Sequence, residues 1–206
     1  MDELAGLPPH AFDKADRAPD ALFYGQPRMV THIDAAAVAS VTALYREMLP
    51  AGGAVLDLMS SWVSHLPPDI QYREVVGHGM NAAELAANPR LAAWFVQDLN
   101  ADPILRLADA RFDAACLCVS VQYLQRPVAM FREVRRVLTP GAPFVVSFSN
   151  RCFPTKAVAI WQALDGEEQQ RLVSVYMARA GFDPIETGAV LPERGDPIRA
   201  VIGRAA

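Results

Sequence analysis

The feature that most constrains this chain is the alternation of short apolar runs with helix-compatible segments between residues 54 and 149. Runs at 54–58 (AVLDL), 73–77 (REVVG), 93–97 (AWFVQ), 113–119 (DAACLCV) and 143–149 (PFVVSFS) have strand length and β-branched content. The intervening segments have helical periodicity. It is clearest at 127–138, where Val128, Phe131, Val134, Val137 and Leu138 form a stripe and Arg132, Glu133, Arg135 and Arg136 lie mainly opposite it. Parallel neighbours need crossover connections, and helices supply them. The pattern therefore predicts an α/β fold with a mostly parallel, doubly wound sheet.

The flanks extend this scheme. From Asp34 to Leu49, apolar residues at 38, 41, 44, 45, 48 and 49 share one helical face, and Pro50-Ala-Gly-Gly stops the helix before the first strand. Beyond Ser149 a helical region over about 155–180 is punctuated by Gly166 and closed by Gly181. Two last strands are predicted near 182–190 and 198–203, giving seven in all. Residues 1–34 read as an N-terminal arm or lid, its first 20 residues loosely held, and residues 35–206 as the α/β domain.

Composition narrows the partners. The chain of 206 residues is 52% hydrophobic and 20% charged, enough apolar content for one sizeable core. A net charge of -4 without a basic tract argues against capture of nucleic acid or of an anionic membrane surface. Cys116, Cys118 and Cys152 form no C-x-x-C pair and read as packing residues; with no apolar run of spanning length, the expectation is a cytoplasmic protein with a small-molecule partner. His65 and His78 lack a third ligand at recognisable spacing, so no metal site is expected. Oligomeric state is not legible.

In an open parallel sheet, ligands bind outside the carboxyl ends of the strands. That rule selects the stretches 57–62, 77–81, 98–100, 119–123 and 149–151. The segment FDAACLCVSVQYLQRPVAMFREVRRVLTPGAPFVVSFSN, residues 112–150, together with VLDL at 55–58 and QDLN at 97–100, resembles the class I S-adenosylmethionine-dependent methyltransferases, in particular the type 11-like branch acting on small molecules. The resemblance covers residues 35–150 well and the rest by order of elements. It implies a Rossmann-like methyltransferase fold, S-adenosylmethionine as cofactor and a small-molecule acceptor.

Carried onto this sequence, the resemblance assigns the cofactor to Asp57, Met59, Ser60, Ser61, Gly79, Met80, Asn81, Asp98, Leu99 and Ser120. Two departures stand out. The loop after the first strand has Met59 and Ser61 where the family carries glycines, so Ser60 and Ser61 are expected either to offer hydroxyls to the carboxylate or ammonium of a bound amino-acid group or to cap a short helix that Pro67-Pro68 ends. The second strand ends in Gly79 where an acidic residue is expected to hold the ribose. Acceptor contacts are expected from Tyr24, Arg28, His32, Gln122, Tyr123 and Asn150, with His32 and Tyr123 as candidate proton acceptors or donors. The altered loops also fit a methyltransferase-fold protein that binds a ligand without transferring a methyl group. A third reading, a nicotinamide dinucleotide site, rests on Gly77-His-Gly79-Met-Asn-Ala82 and on Asp98, 21 positions after Gly77.

Overall fold

A computed structural model describes residue 4 and residues 6–206. In chain order the elements are α1 (Asp20–Tyr24), α2 (Ala35–Met48), β1 (Ala54–Leu58), β2 (Glu74–Gly79), α3 (Ala82–Ala87), β3 (Ala93–Val96), β4 (Ala114–Cys118), a single 3-10 turn (Val121–Tyr123), α4 (Pro127–Val137), β5 (Pro143–Phe148), α5 (Ala159–Ala163), α6 (Gly166–Ala180), β6 (Phe182–Val190) and β7 (Ile198–Ala205). The seven strands form one sheet in the order β3-β2-β1-β4-β5-β7-β6. β1 to β5 run parallel, while β7 is antiparallel to both β5 and β6. Chain order reverses between β1 and β4, and that crevice is where a doubly wound sheet admits a ligand.

The sheet is covered on both faces, which is why its central strands read as continuous apolar runs. Leu56, Leu117 and Val146 pack with Val128, Phe131 and Val134 of α4 and with Val173 and Met177 of α6. The alternate residues Val55, Cys116 and Val145 pack with Val41 and Tyr45 of α2 on the other face.

The helical region predicted over 155–180 is two helices. Leu164 closes the first and Asp165 begins the second: its carboxylate accepts the N–H groups of Glu167 and Glu168, and Glu168 reciprocates to the Asp165 backbone. Gly181 adopts the left-handed conformation at φ 88°, closing α6 as predicted.

The described part of the arm corrects the expectation of a loosely held segment. The backbone N–H groups of Ala159 and Ile160 donate to the carbonyls of Asp13 and Ala11. Lys14 and Lys156 are both buried and converge on Asp20; Lys156 also lies 3.0 Å from Asp16 and donates to the Ala18 carbonyl. Buried charges persist only when paired, so these contacts fix the arm on the sheet's carboxyl edge. Composition did not show this, because both lysines find their partners through the fold.

Candidate active site

A cavity of about 380 Å³ opens at the carboxyl ends of β1, β2 and β4, beneath the arm. All ten residues assigned to the cofactor from sequence line it, as do Tyr24, Arg28, His32 and Tyr123. Gln122 and Asn150, also expected at the acceptor, do not line it. Gln122 is fully buried and donates to the carbonyls of Val119 and Arg151, so it holds the turn together from behind. Asn150 is exposed and borders a neighbouring cavity on the β5–β7 side, where it accepts from the Ser149 hydroxyl.

The loop after β1 owes its shape to strain and to a brace. Met59 has φ 52° and His65 φ 51°, and across the crevice Val119 has φ 43°. Three side-chain-bearing residues in the left-handed region, one of them β-branched, gather around a single cavity; such strain collects where function over-determines the backbone. His78 holds the loop. Its ring is buried on β2, Nδ1 accepts the Met59 N–H at 3.1 Å, and Nε2 lies 2.9 Å from the Gln97 carbonyl, to which it donates in the matching tautomer. Burial pushes this imidazole down to about 4, so it is neutral and able to accept. The Ser60 N–H donates to the His78 carbonyl at 2.7 Å. A Cβ on Gly79 would sit 2.6 Å from the Ser60 carbonyl oxygen, so glycine is what lets β2 approach the loop so closely.

The serines are arranged more narrowly than the sequence suggested. The Ser60 hydroxyl donates to Asp57 and the Ser61 hydroxyl to Glu84, each at 2.6 Å. Each has spent its proton on a carboxylate and presents lone pairs only, which suit an ammonium and not a carboxylate. Asp57 is buried, which pushes it up to about 6 against the lowering effect of the Ser60 hydroxyl; Cys116 donates to its other oxygen at 3.6 Å.

Glu84, which the sequence reading missed, ties three elements together. From α3 it accepts both the Ser61 hydroxyl and the Arg28 backbone N–H, so it links the β1 loop to the arm. Asn81 caps α3 by accepting the Ala83 and Glu84 N–H groups, and its amide donates to the carbonyls of Tyr24 and Gly25. Its hydrogen-bonding capacity is thereby used within the scaffold. Trp62 donates to the Val30 carbonyl, a third tie to the arm. Asp98 accepts the Asn100 and Ala101 N–H groups through one oxygen, Leu99 is buried beside it, and the Ser120 hydroxyl donates to the Cys118 carbonyl.

The aromatic side of the cavity carries the remaining polar groups. The Tyr123 hydroxyl accepts the Phe153 N–H at 2.9 Å, and burial pushes its phenol up to about 12. The Tyr24 hydroxyl is buried with no hydrogen-bond partner among the described residues, and burial raises its pKa as well. His32 stands exposed at the rim, and partial desolvation holds both it and His65 below the ordinary histidine value. The Arg28 guanidinium donates to the Phe23 and Gln26 carbonyls and lies over the rings of Phe23 and Phe153. Among the described residues no three His, Cys, Asp or Glu side chains gather as a metal site.

The dinucleotide fingerprint is accounted for by packing. Gly77 lies inside β2, not in a turn, where a Cβ would meet Leu91 at 2.3 Å, and α3 has only six residues before Asn88-Pro89 ends it.

Residues 69–146 match the methyltransferase domain model of the type 11 family. That match covers part of the chain, and the whole sheet has the fold of the solved class I methyltransferases that it resembles. No curated protein matches its sequence. A putative methyltransferase complexed with the Trm112 activator in Haloferax volcanii aligns with TM-score 0.63 at 15% identity, over 82% of this chain and 89% of that one. The (4+2)-cyclase SpnF aligns with TM-score 0.60 at 18% identity, over 80% of each chain. Phosphoethanolamine N-methyltransferase 2 of Haemonchus contortus, solved with S-adenosylmethionine, aligns with TM-score 0.60 at 12% identity, over 81% of this chain and 52% of that one. At these identities the structural likeness is one of fold.

Proposed function

We propose that this protein transfers the methyl group of S-adenosylmethionine to a small-molecule acceptor. One observation carries the reading: ten residues chosen from four separate strand ends meet in one cavity at the switch point, beside three strained backbone positions.

The residues present suit that cofactor, a sulfonium cation with an ammonium group. Asp57, Glu84 and Asp98 surround the cavity with carboxylates, and the outward lone pairs of Ser60 and Ser61 accept an ammonium. Asp98 has one oxygen engaged by its own turn and is the residue we assign to the adenine amino group, with Leu99 and Met80 along the ring. The bound cofactor would supply a methyl group already activated by sulfonium charge. The chain's part is to orient the acceptor, exclude water under the arm and, for a protonated acceptor, take a proton. Residues 6–34 serve in this reading as a fixed cover over the site. The reading includes a cytoplasmic location and partners other than nucleic acid or membrane; among the described residues no helix is long and apolar enough to cross a membrane.

Calorimetry with S-adenosylmethionine, S-adenosylhomocysteine and NAD tests the proposal. Both sulfur nucleosides should bind and NAD should not. Absence of heat with either nucleoside at millimolar concentration would refute it, and binding without turnover on any acceptor would leave a ligand-binding protein. Asp98→Ala should weaken binding by about tenfold, the loss of one charged hydrogen bond.

A further inference from the structure

The arm side of the cavity differs in chemistry from the carboxylate-rich side. Tyr24, Tyr123 and Phe153 meet there: ring centroids lie 6.4 Å apart for Tyr24 and Tyr123, and 6.0 Å apart for Tyr123 and Phe153, the latter two inclined by only 28°. His32 sets its ring edge-on to Phe153 at 5.5 Å, and His65 lines the same side. The charged groups that face His32 are Glu84 from α3 and Arg28 from the arm, with His65 opposite on the β1 loop. Glu84 already holds the Ser61 hydroxyl and the Arg28 N–H, and an ammonium acceptor on this side would also face the Arg28 guanidinium. A planar uncharged ring meets an aromatic wall, and a hydroxyl on it meets imidazole.

We propose that the acceptor is a phenol, an aromatic ring bearing the hydroxyl that becomes methylated, laid on the Tyr123–Phe153 wall with His32 as its proton acceptor. The inference rests on the methyltransferase reading above. In the step, the phenol O–H proton passes to the His32 imidazole as an oxygen lone pair forms the new O–CH3 bond. The bond from that carbon to sulfur breaks with its electron pair left on sulfur, giving an aryl methyl ether, a neutral thioether and an imidazolium. His32 is exposed at the rim and returns the proton to water. Partial desolvation, helped by the Arg28 guanidinium and opposed by Glu84, favours the neutral imidazole that the step requires.

The test uses the full chain saturated with S-adenosylhomocysteine and titrated with 4-methylphenol, catechol, cyclohexanol and cyclohexylamine. The phenols should bind about tenfold more tightly than the saturated analogues and shift the His32 ring resonances in NMR. Phe153→Leu should weaken phenol binding while leaving S-adenosylhomocysteine binding within about threefold. In single turnover with S-adenosylmethionine, His32→Gln should bind phenol nearly normally, react about 100-fold more slowly and lose the acidic limb of the pH–rate profile. Cyclohexylamine binding more tightly than the phenols would overturn the proposal, as would a His32→Gln variant that keeps both rate and limb. If S-adenosylhomocysteine itself fails to bind, the methyltransferase reading falls and this inference falls with it; if it binds and phenols do not, only this inference falls.

Discussion

Residues 112–150 and the loop at 59–65 sit side by side at the switch point and are held by opposite means. The first is regular: β4, α4 and β5 bury Leu117, Phe131, Val134, Phe144 and Val146 in one apolar cluster, with Phe131 and Phe144 edge to face at 5.0 Å. The second has left-handed residues at both ends and is held by polar contacts from elsewhere, His78 on its backbone, Glu84 on Ser61 and Asn88 on the Ser61 carbonyl and the Ser64 hydroxyl. Burial of apolar area is non-directional and tolerates variation, whereas a loop braced by single hydrogen bonds fails when one brace is removed. Stability should therefore reside in the first region and ligand affinity in the second.

The largest effect that would sharpen this contrast is Phe131→Ala. Truncating a fully buried aromatic should cost about 3–5 kcal/mol in urea unfolding, while the folded fraction keeps wild-type affinity for S-adenosylhomocysteine. A comparable loss of affinity in the folded fraction would break the division.

A second effect is a pH dependence. Asp57 and His78 project to opposite faces of the sheet, and burial shifts both. Asp57 rises from 3.8 to about 6, so its ionisation opposes folding and stability falls as pH rises through that window. His78 drops from 6.5 to about 4, so its protonation opposes folding and stability falls as pH drops through that window. The two slopes oppose each other in the wild type. Asp57→Asn removes one of them, and its stability relative to wild type should improve by about 3 kcal/mol between pH 4 and pH 6.5, at roughly 1.4 kcal/mol per unit. A difference that stays flat with pH in chemical denaturation would show that Asp57 is not the buried acid described.

His78→Ala should have an intermediate cost, about 2 kcal/mol, because it strands the Met59 N–H that the ring accepts. It should also weaken S-adenosylhomocysteine binding by more than tenfold, as the loop loses its shape. Normal binding by this variant would show that the strain at Met59 is maintained without the brace. The smallest effect belongs to Met59→Gly, where relief of about 1 kcal/mol of left-handed strain is offset by lost side-chain contacts and a more flexible unfolded chain. Its unfolding free energy should stay within about 1 kcal/mol of wild type, and a larger drop would mean that the Met59 side chain, rather than the backbone, carries the loop.

The contrast also explains what could be read in advance. Every strand of the sheet was legible because its residues are apolar on both faces or alternate, and periodicity is a local property. The places of Asp98, Met80 and Ser120 on the cavity were legible because strand ends in a parallel sheet are predictable places. Gln122 and Asn150 were placed in the site because they too follow strands, yet a single turn of 3-10 helix after β4 sends Gln122 inward, and Asn150 faces the neighbouring cavity. His78 looked like a weak metal candidate, since nothing local says that an imbalance of donors 19 residues earlier will be met by its ring. The cyclase among the structural neighbours shows that this fold also hosts other chemistry, so the acceptor must be argued from Phe153, His32 and their surroundings, not from the sheet.

The order of strands and helices, the mostly parallel sheet and the strand ends that border the cavity were legible in the sequence, because these follow from local periodicity and from the geometry of crossover connections. Only the tertiary structure decided how the glycine-free loop is shaped, which hydroxyl protons are spent, that Glu84 ties loop to arm and that the arm is fixed by buried lysines. Each of those depends on a donor meeting an acceptor from a distant part of the chain, and such pairing leaves no periodic trace in the sequence.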